Sequence, residues 1–234
     1  MRYLIILFVS VILLPAPLAG QTIVDLFIQG PSEYDRHLGP EGQKLIADKA
    51  QSSDFVQIDI LSADPGEGVR SGEWRLSADL ANGYLKLEFG QWYEMEMVYW
   101  RKSDGTRLVG QAYLWKDAPF WETELFFYQY HKGEWTRLKT DSIVPYLRAE
   151  AMIDTAATIA ANKEIGLDIP LPSKGDISYE TQVKLPRRGK SLMVNYSWVD
   201  EREAYRNYYL VLPTSNEDGW IEMPWKDGWF GRLD

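Results

Sequence analysis

The 234-residue chain has no cysteine and only two histidines, His37 and His131. The first absence excludes disulfides, thiol nucleophiles, thiolate metal sites and sulfur redox chemistry. The second leaves too few imidazoles for a multi-histidine catalytic metal, so no metal and no other cofactor is expected. His37 follows Tyr34-Asp35-Arg36 and His131 precedes Lys132-Gly133, polar settings in which both rings are expected to face solvent. Positive charge is also scarce: 25 Lys and Arg stand against 34 Asp and Glu, for a formal charge of -9. Such a surface repels phosphate backbones and anionic lipid, and no basic cluster reverses this locally, so nucleic acid is not an expected partner. Neither the Gly-x-Ser-x-Gly elbow of serine hydrolases nor the Asp-x-Asp-x-Asp-Gly calcium loop occurs. Long apolar runs are missing as well. The longest, Leu4 to Leu14, is about half the roughly twenty residues that span a bilayer, so a membrane-embedded protein is not expected.

That run has a different use. Arg2, the apolar core and the exit Pro15-Ala16-Pro17-Leu18-Ala19-Gly20 have the order of a secretory signal peptide over residues 1–20. Cleavage after Gly20 leaves Gln21 in front, with cleavage after Ala19 as the alternative. No cysteine follows for lipid attachment, so a soluble periplasmic or secreted protein is expected. An exported chain without disulfides fits a bacterial envelope better than the extracellular space of higher cells.

What the chain has in quantity is aromatic residues, 14%, with ten Trp and fourteen Tyr. These favour half-buried sheet faces. Apolar residues from Ile23 to Ile28 suit a short helix or a buried strand, ended by Gly30-Pro31. Pro40 to Ala50 has a helical pattern, Phe55 to Leu61 alternates as a strand, and Asp64-Pro65-Gly66 is a turn. Tyr84 to Phe89 is predicted as a strand, and Trp92 to Arg101 with Arg107 to Trp115 as a hairpin about a two-residue Asp104-Gly105 turn. Ser103 then pairs with Thr106. By counting, Met95, Met97 and Tyr99 oppose Leu114, Ala112 and Gly110 on a core face, with the Tyr99 ring lying across Gly110. Glu94, Glu96, Val98 and Trp100 face Trp115, Tyr113, Gln111 and Val109 on the other.

A second hairpin is predicted from Glu124 to Tyr130 and Trp135 to Leu138. A helix capped by Ser142 is expected to run from 142 to 165, its apolar residues including Met152, Ala156, Ile159 and Ala160, to a stop at Gly166. Residues 167–174, with Pro170 and Pro172, read as a connector between a 21–166 unit and a smaller β-rich 175–234 unit. In the latter, Tyr179 to Leu185 and Leu192 to Trp198 are predicted strands. A capping box at Asp200 to Glu203 opens a short helix or a strand, and Lys226-Asp227-Gly228 is a turn. The expected fold is α+β, antiparallel meanders with a few packed helices and two related halves as a possible duplication. An all-β sandwich with helical decorations is the alternative.

The segments Leu26-Phe27-Ile28-Gln29-Gly30-Pro31, Asn82-Gly83-Tyr84-Leu85-Lys86-Leu87, Leu125-Phe126-Phe127-Tyr128 with Trp135-Thr136-Arg137-Leu138, and Trp225-Lys226-Asp227-Gly228-Trp229-Phe230 carry a resemblance. In order and spacing the chain resembles a domain-of-unknown-function family of small exported proteins from anaerobic Gram-negative gut bacteria. It departs from that pattern in lacking a Cys-containing segment after the hairpin and in carrying an Ala-rich helix instead. The resemblance implies an envelope address and supplies no catalytic residue.

Glu94 and Glu96 are the one carboxylate pair that the pattern places together, about 7 Å apart on one strand face. That spacing suits inverting rather than retaining glycoside hydrolysis. The same expected face carries Trp100, Tyr113 and Trp115, so Glu94, Glu96, Trp100, Tyr113 and Trp115 form the candidate ligand site, suited to a sugar or a cationic peptide. Three functions are carried forward. They are a non-enzymatic binding module for an envelope protein, peptide or glycan, a carboxylate-based glycan hydrolase using Glu94 and Glu96, and a structural or assembly factor whose aromatic face is core.

Overall fold

The computed structural model describes residues 21–31, 48, 55–61, 73–90, 93–115, 123–148, 151–168, 170, 179–198, 211–212 and 219–231. The expected signal peptide, the 40–50 helix apart from Asp48, the Asp64 turn, His37, most of the connector and the segment opening at Asp200 lie outside them.

A seven-stranded antiparallel meander dominates. Its strands β1 (Phe55–Leu61), β2 (Glu73–Asp79), β3 (Tyr84–Phe89), β4 (Tyr93–Arg101), β5 (Arg107–Trp115), β6 (Thr123–His131) and β7 (Glu134–Leu138) pair in chain order. A second sheet holds β8 (Tyr179–Lys184), β9 (Leu192–Trp198) and β10 (Ile221–Met223), with β9 in the middle. The chain is α+β and mainly antiparallel, and among the described residues the two sheets are unequal, seven strands against three.

Helix α1 (Ile23–Gln29) resolves the first ambiguity in favour of a helix. Thr22 and Asp25 form a reciprocal capping box that satisfies two backbone donors at its start. Ile23, Val24, Leu26 and Phe27 turn one side onto the meander, where they join Leu76, Leu85, Leu87, Met95, Met97, Val109 and Tyr113 in one core cluster. The opposite face of the meander is buried too. Val98, Trp100, Leu108, Ala112 and Phe127 pack with Val183, Leu192, Val194, Ile221 and Phe230 of the smaller sheet region. The result is three layers: helix, large sheet, small sheet. Alternating apolar patterns arise from sheets with one wet face, and here the second face is covered by chain about ninety residues downstream.

The β4–β5 hairpin differs from expectation by one residue. The loop is Ser103-Asp104-Gly105, closed by Lys102 N–H to the Thr106 carbonyl at 3.0 Å and Gly105 N–H to the Lys102 carbonyl at 3.1 Å. Gly105 has φ of 81°, the left-handed glycine of a three-residue hairpin loop with a bulge. Asp104 stabilises this form by accepting from Thr106 N–H at 2.9 Å and Thr106 Oγ1 at 2.6 Å. The register becomes Met95 opposite Tyr113, Met97 opposite Gln111 and Tyr99 opposite Val109. Gly110 lies opposite Val98, and the ring over it is Trp100, not Tyr99. Tyr99 covers Gly83 instead. The β6–β7 hairpin is as expected, closed by Lys132-Gly133 with φ of 48° and 92°.

The single helix expected from 142 to 165 is two short ones, α2 (Thr140–Ile143) and α3 (Thr155–Glu164). Ser142 is not a cap: its hydroxyl donates to the Lys139 carbonyl at 2.6 Å. Asp154 caps α3 by accepting from Ala157 N–H at 2.9 Å. Helix α3 turns polar residues inward. Thr158 and Asn162 are buried, with Thr158 Oγ1 accepting from Val211 N–H at 3.0 Å, whereas Ile159 is exposed. That side of α3 is thus held by hydrogen bonds to the backbone of Val211, which the apolar periodicity did not anticipate.

Candidate functional site

Strand β3 brings a lysine into register with the two glutamates. Lys86 sits opposite Glu96, and Glu88 opposite Glu94. Two carboxylates facing each other across strands repel, and the Lys86 ammonium lies between them, 3.1 Å from Glu88 and 3.0 Å from Glu94. Burial works against the charge of Lys86, but the hydrogen bonds and charges of Glu94 and Glu88 outweigh it and raise its pKa.

Glu96 is bound differently. One carboxylate oxygen accepts from the Tyr84 hydroxyl at 2.6 Å and the other from the backbone N–H of Leu185 at 2.9 Å. Leu185 follows β8, the edge strand of the small sheet, so Glu96 holds the two sheets together. Thr123 does the same one step along, its Oγ1 accepting from Val183 N–H at 3.2 Å. Alternate outward N–H groups of an edge strand are thereby satisfied by side chains of the neighbouring sheet, which also blocks further pairing there. Burial raises the Glu96 pKa, helped by the charge of Glu94 and opposed by the bonds from Tyr84 and Leu185. Burial and the Glu96 charge push the Tyr84 hydroxyl far above its ordinary value, so it stays a donor.

Glu94 and Glu96 line a crevice in the seam with Thr123, Gln182, Lys184 and Trp220. Its space for water-sized occupants is about 50 Å³. That accommodates a few waters, whereas ligand pockets run from about 300 Å³ upward. The Lys184 ammonium caps the Trp220 ring, 4.0 Å from its centroid.

The five residues expected to share one face do not. The one-residue register change keeps Glu94, Glu96 and Trp100 together and sends Tyr113 and Trp115 to the face of Met95 and Met97. Tyr113 is fully buried under α1, its hydroxyl donating to Gln111 Oε1 at 2.9 Å, while Gln111 donates to the Pro31 carbonyl at 3.1 Å. Trp100 is 3% exposed, stacked on Trp225 at 5.7 Å, edge-on to Phe230 at 4.9 Å, with its Nε1 donating to the Lys190 carbonyl at 3.0 Å. Neither ring is open to a ligand. Trp115, packed against Tyr93 at 4.9 Å, is 37% exposed, and Trp229, which sequence reasoning did not select, is 40% exposed.

Sequence reasoning also missed Tyr84, Lys86, Thr123 and Arg187. Lys86 was findable by extending the pairing one strand upstream. Thr123 and Arg187 carry no local signal, since their partners lie far away in the chain. His131 is exposed at the end of β6. Among the described residues no group of three or more His, Cys, Asp or Glu is placed to hold a metal ion, and no helix is long and apolar enough to cross a membrane.

No protein-family model matches the sequence. No curated protein matches it either. Among solved structures the chain is similar to a domain of an uncharacterized protein from Porphyromonas gingivalis W83, with a TM-score of 0.58 and 16% identity over 90% of this chain and 97% of that one. At that identity the likeness is one of fold.

Proposed function

We propose that this chain is an exported, non-enzymatic binding and interaction module of the bacterial envelope, periplasmic or secreted after cleavage near Gly20, and a member of the exported family that its motifs resemble. The observation that carries the non-enzymatic part is the engagement of Glu96. Both of its oxygens accept hydrogen bonds, one from Tyr84 within the meander and one from Leu185 across to the small sheet, and a general acid or base needs reach to a substrate proton. Glu94 is neutralised by Lys86 in a crevice too small for a sugar ring. These facts weigh against the glycan-hydrolase alternative.

Support for binding comes from the partly exposed indoles of Trp115 and Trp229. Rigid amphipathic aromatics anchor protein, peptide and sugar partners at low entropic cost. The structural or assembly reading is favoured by a separate observation: Trp100, Tyr113 and Phe127 serve the core.

The test uses the mature chain on glycan and peptidoglycan-fragment arrays and as bait in envelope extract, beside Trp115→Ala and Trp229→Ala. A partner lost in either variant supports the binding reading. No partner in any format overturns it, and turnover of a glycan that disappears in Glu94→Gln restores the hydrolase.

A further inference from the structure

The turn between β2 and β3 joins a reactive dipeptide to a buried carboxylate. Asp79, Leu80, Ala81, Asn82, Gly83 and Tyr84 close the hairpin, with Gly83 N–H directed at the Leu80 carbonyl at 3.4 Å and Gly83 in the left-handed region at φ of 65°. Asn82 is exposed, yet its carboxamide is held. Nδ2 donates to both oxygens of Asp79 at 3.0 Å, and the Asn82 backbone N–H donates to Asp79 Oδ1 at 3.2 Å. Asp79 is 7% exposed and also accepts from Arg187 Nε at 3.2 Å. Arg187 belongs to the β8–β9 connection, so this carboxylate is a second tie between the sheets. It binds the carboxamide and the guanidinium at once.

An asparagine followed by glycine is where a backbone nitrogen most easily attacks a side-chain amide, because glycine presents no side chain to hinder it. We propose that Asn82-Gly83 is a self-modification site, and that Asp79 sets its rate by holding the Asn82 carboxamide away from the Gly83 nitrogen. In the reaction the Gly83 nitrogen bonds to Asn82 Cγ, the Cγ–Nδ2 bond breaks, and ammonia leaves with the proton from the Gly83 nitrogen. Water then opens the succinimide at either carbonyl, giving aspartate or isoaspartate at position 82. The product reaches the sheet seam. A carboxylate at position 82 replaces two donors to Asp79 with a like charge, and the isoaspartate adds a backbone atom beside Gly83, which lies closely beneath the Tyr99 ring. The modification therefore weakens the Asp79–Arg187 tie, and the turn acts as a slow, irreversible clock on sheet docking.

The experiment incubates the folded chain at neutral pH and follows the Asn82 peptide by mass, alongside the chain unfolded in urea, Asp79→Ala, Asp79→Asn and Arg187→Ala. Releasing a carboxamide from a charged acceptor is expected to speed the reaction at least about tenfold in Asp79→Ala. Asp79→Asn keeps one acceptor oxygen and falls between. Arg187→Ala leaves the Asp79–Asn82 contacts in place and stays at the wild-type rate. If Asp79→Ala does not fold, the ordering of the other two variants decides. Equal rates in wild type, Asp79→Asn and Arg187→Ala overturn the role of Asp79, as does a faster Arg187→Ala. A folded wild type that reacts as fast as the urea-unfolded chain overturns the protection altogether.

Discussion

Glu96 accepts the backbone N–H of Leu185 at 2.9 Å across the seam between the large and small sheets. The same carboxylate takes the Tyr84 hydroxyl at 2.6 Å, so the residue that looks like half of a catalytic pair is a fastening. Removing it leaves two donors without their acceptor in a partly buried seam, and a lost partner there costs about 1–3 kcal/mol. Glu96→Ala is therefore expected to lower unfolding stability by about 2 kcal/mol in a urea titration. Glu96→Gln, which keeps one acceptor oxygen, is expected to lose less. A Glu96→Ala chain as stable as wild type counts against the fastening role.

The acidic groups divide in their pH response. Burial raises the Glu96 pKa above its ordinary 4.5, so its stabilising contribution is complete below that value and is lost as pH rises through the raised one. Asp79 and Asp227 go the other way. Burial pushes Asp79 up, but its bonds from Asn82 and Arg187 win, and the bonds from Ser103 hold Asp227 down. Their contribution is present above the ordinary 3.8 and is lost as pH falls through the depressed values. Asp104, drawn down to about 2 by Thr106, follows the same sign. The urea midpoint is expected to fall on both sides of mildly acidic pH. Glu96→Gln is expected to remove the alkaline-side decline and keep the acid-side one; an unchanged alkaline limb contradicts the assignment.

Two tryptophans that the sequence treats alike are expected to respond to truncation by very different amounts. Trp100→Ala empties a site packed by Phe127, Trp225 and Phe230 and is expected to cost about 3–5 kcal/mol. Trp115→Ala, at a partly exposed strand end, is expected to cost about 1 kcal/mol or less. Thermal or urea unfolding of the pair decides between the observed register and the one counted from a two-residue turn.

Gly110 gives an independent check of that register. A methyl group there would stand 2.9 Å from Trp100 Cζ3 and 3.1 Å from Phe127 Cε1, and Trp100 cannot retreat without breaking its bond to the Lys190 carbonyl. Gly110→Ala is expected to destabilise by about 1–3 kcal/mol through overpacking, with a change in the near-ultraviolet tryptophan signal. Gly105→Ala meets no neighbouring atom, and its cost is backbone strain alone, about 1 kcal/mol. A Gly110→Ala chain milder than Gly105→Ala refutes the packing of Trp100 over Gly110.

How much of this was legible in the sequence follows from the range of each signal. Strands β3 to β9 announce themselves by alternation and by turn residues a few positions away. Met95 and Met97 were recognisable as a core face because Glu94 and Glu96 alternate with them, and Tyr99 follows at the same period. Local chemistry also marks Gly133 and Gly105 as turn glycines. It leaves open whether the second turn contains two residues or three, and side chains alternate along a strand, so that single residue moved Tyr113 and Trp115 to the other face of the sheet.

The sequence by itself determined the sulfur-free, acidic, aromatic-rich character of the chain, its antiparallel strands and the charge pair Glu94 and Glu96. Tertiary structure decided what those elements are for. Helix α1 covers one face of the meander, and the small sheet covers the face that carries the glutamates. Covering withdraws Glu96 from water and hands its oxygens to Tyr84 and Leu185. A buried acceptor must be matched by a donor, and the donor here is a backbone N–H eighty-nine positions downstream, beyond the reach of any local pattern.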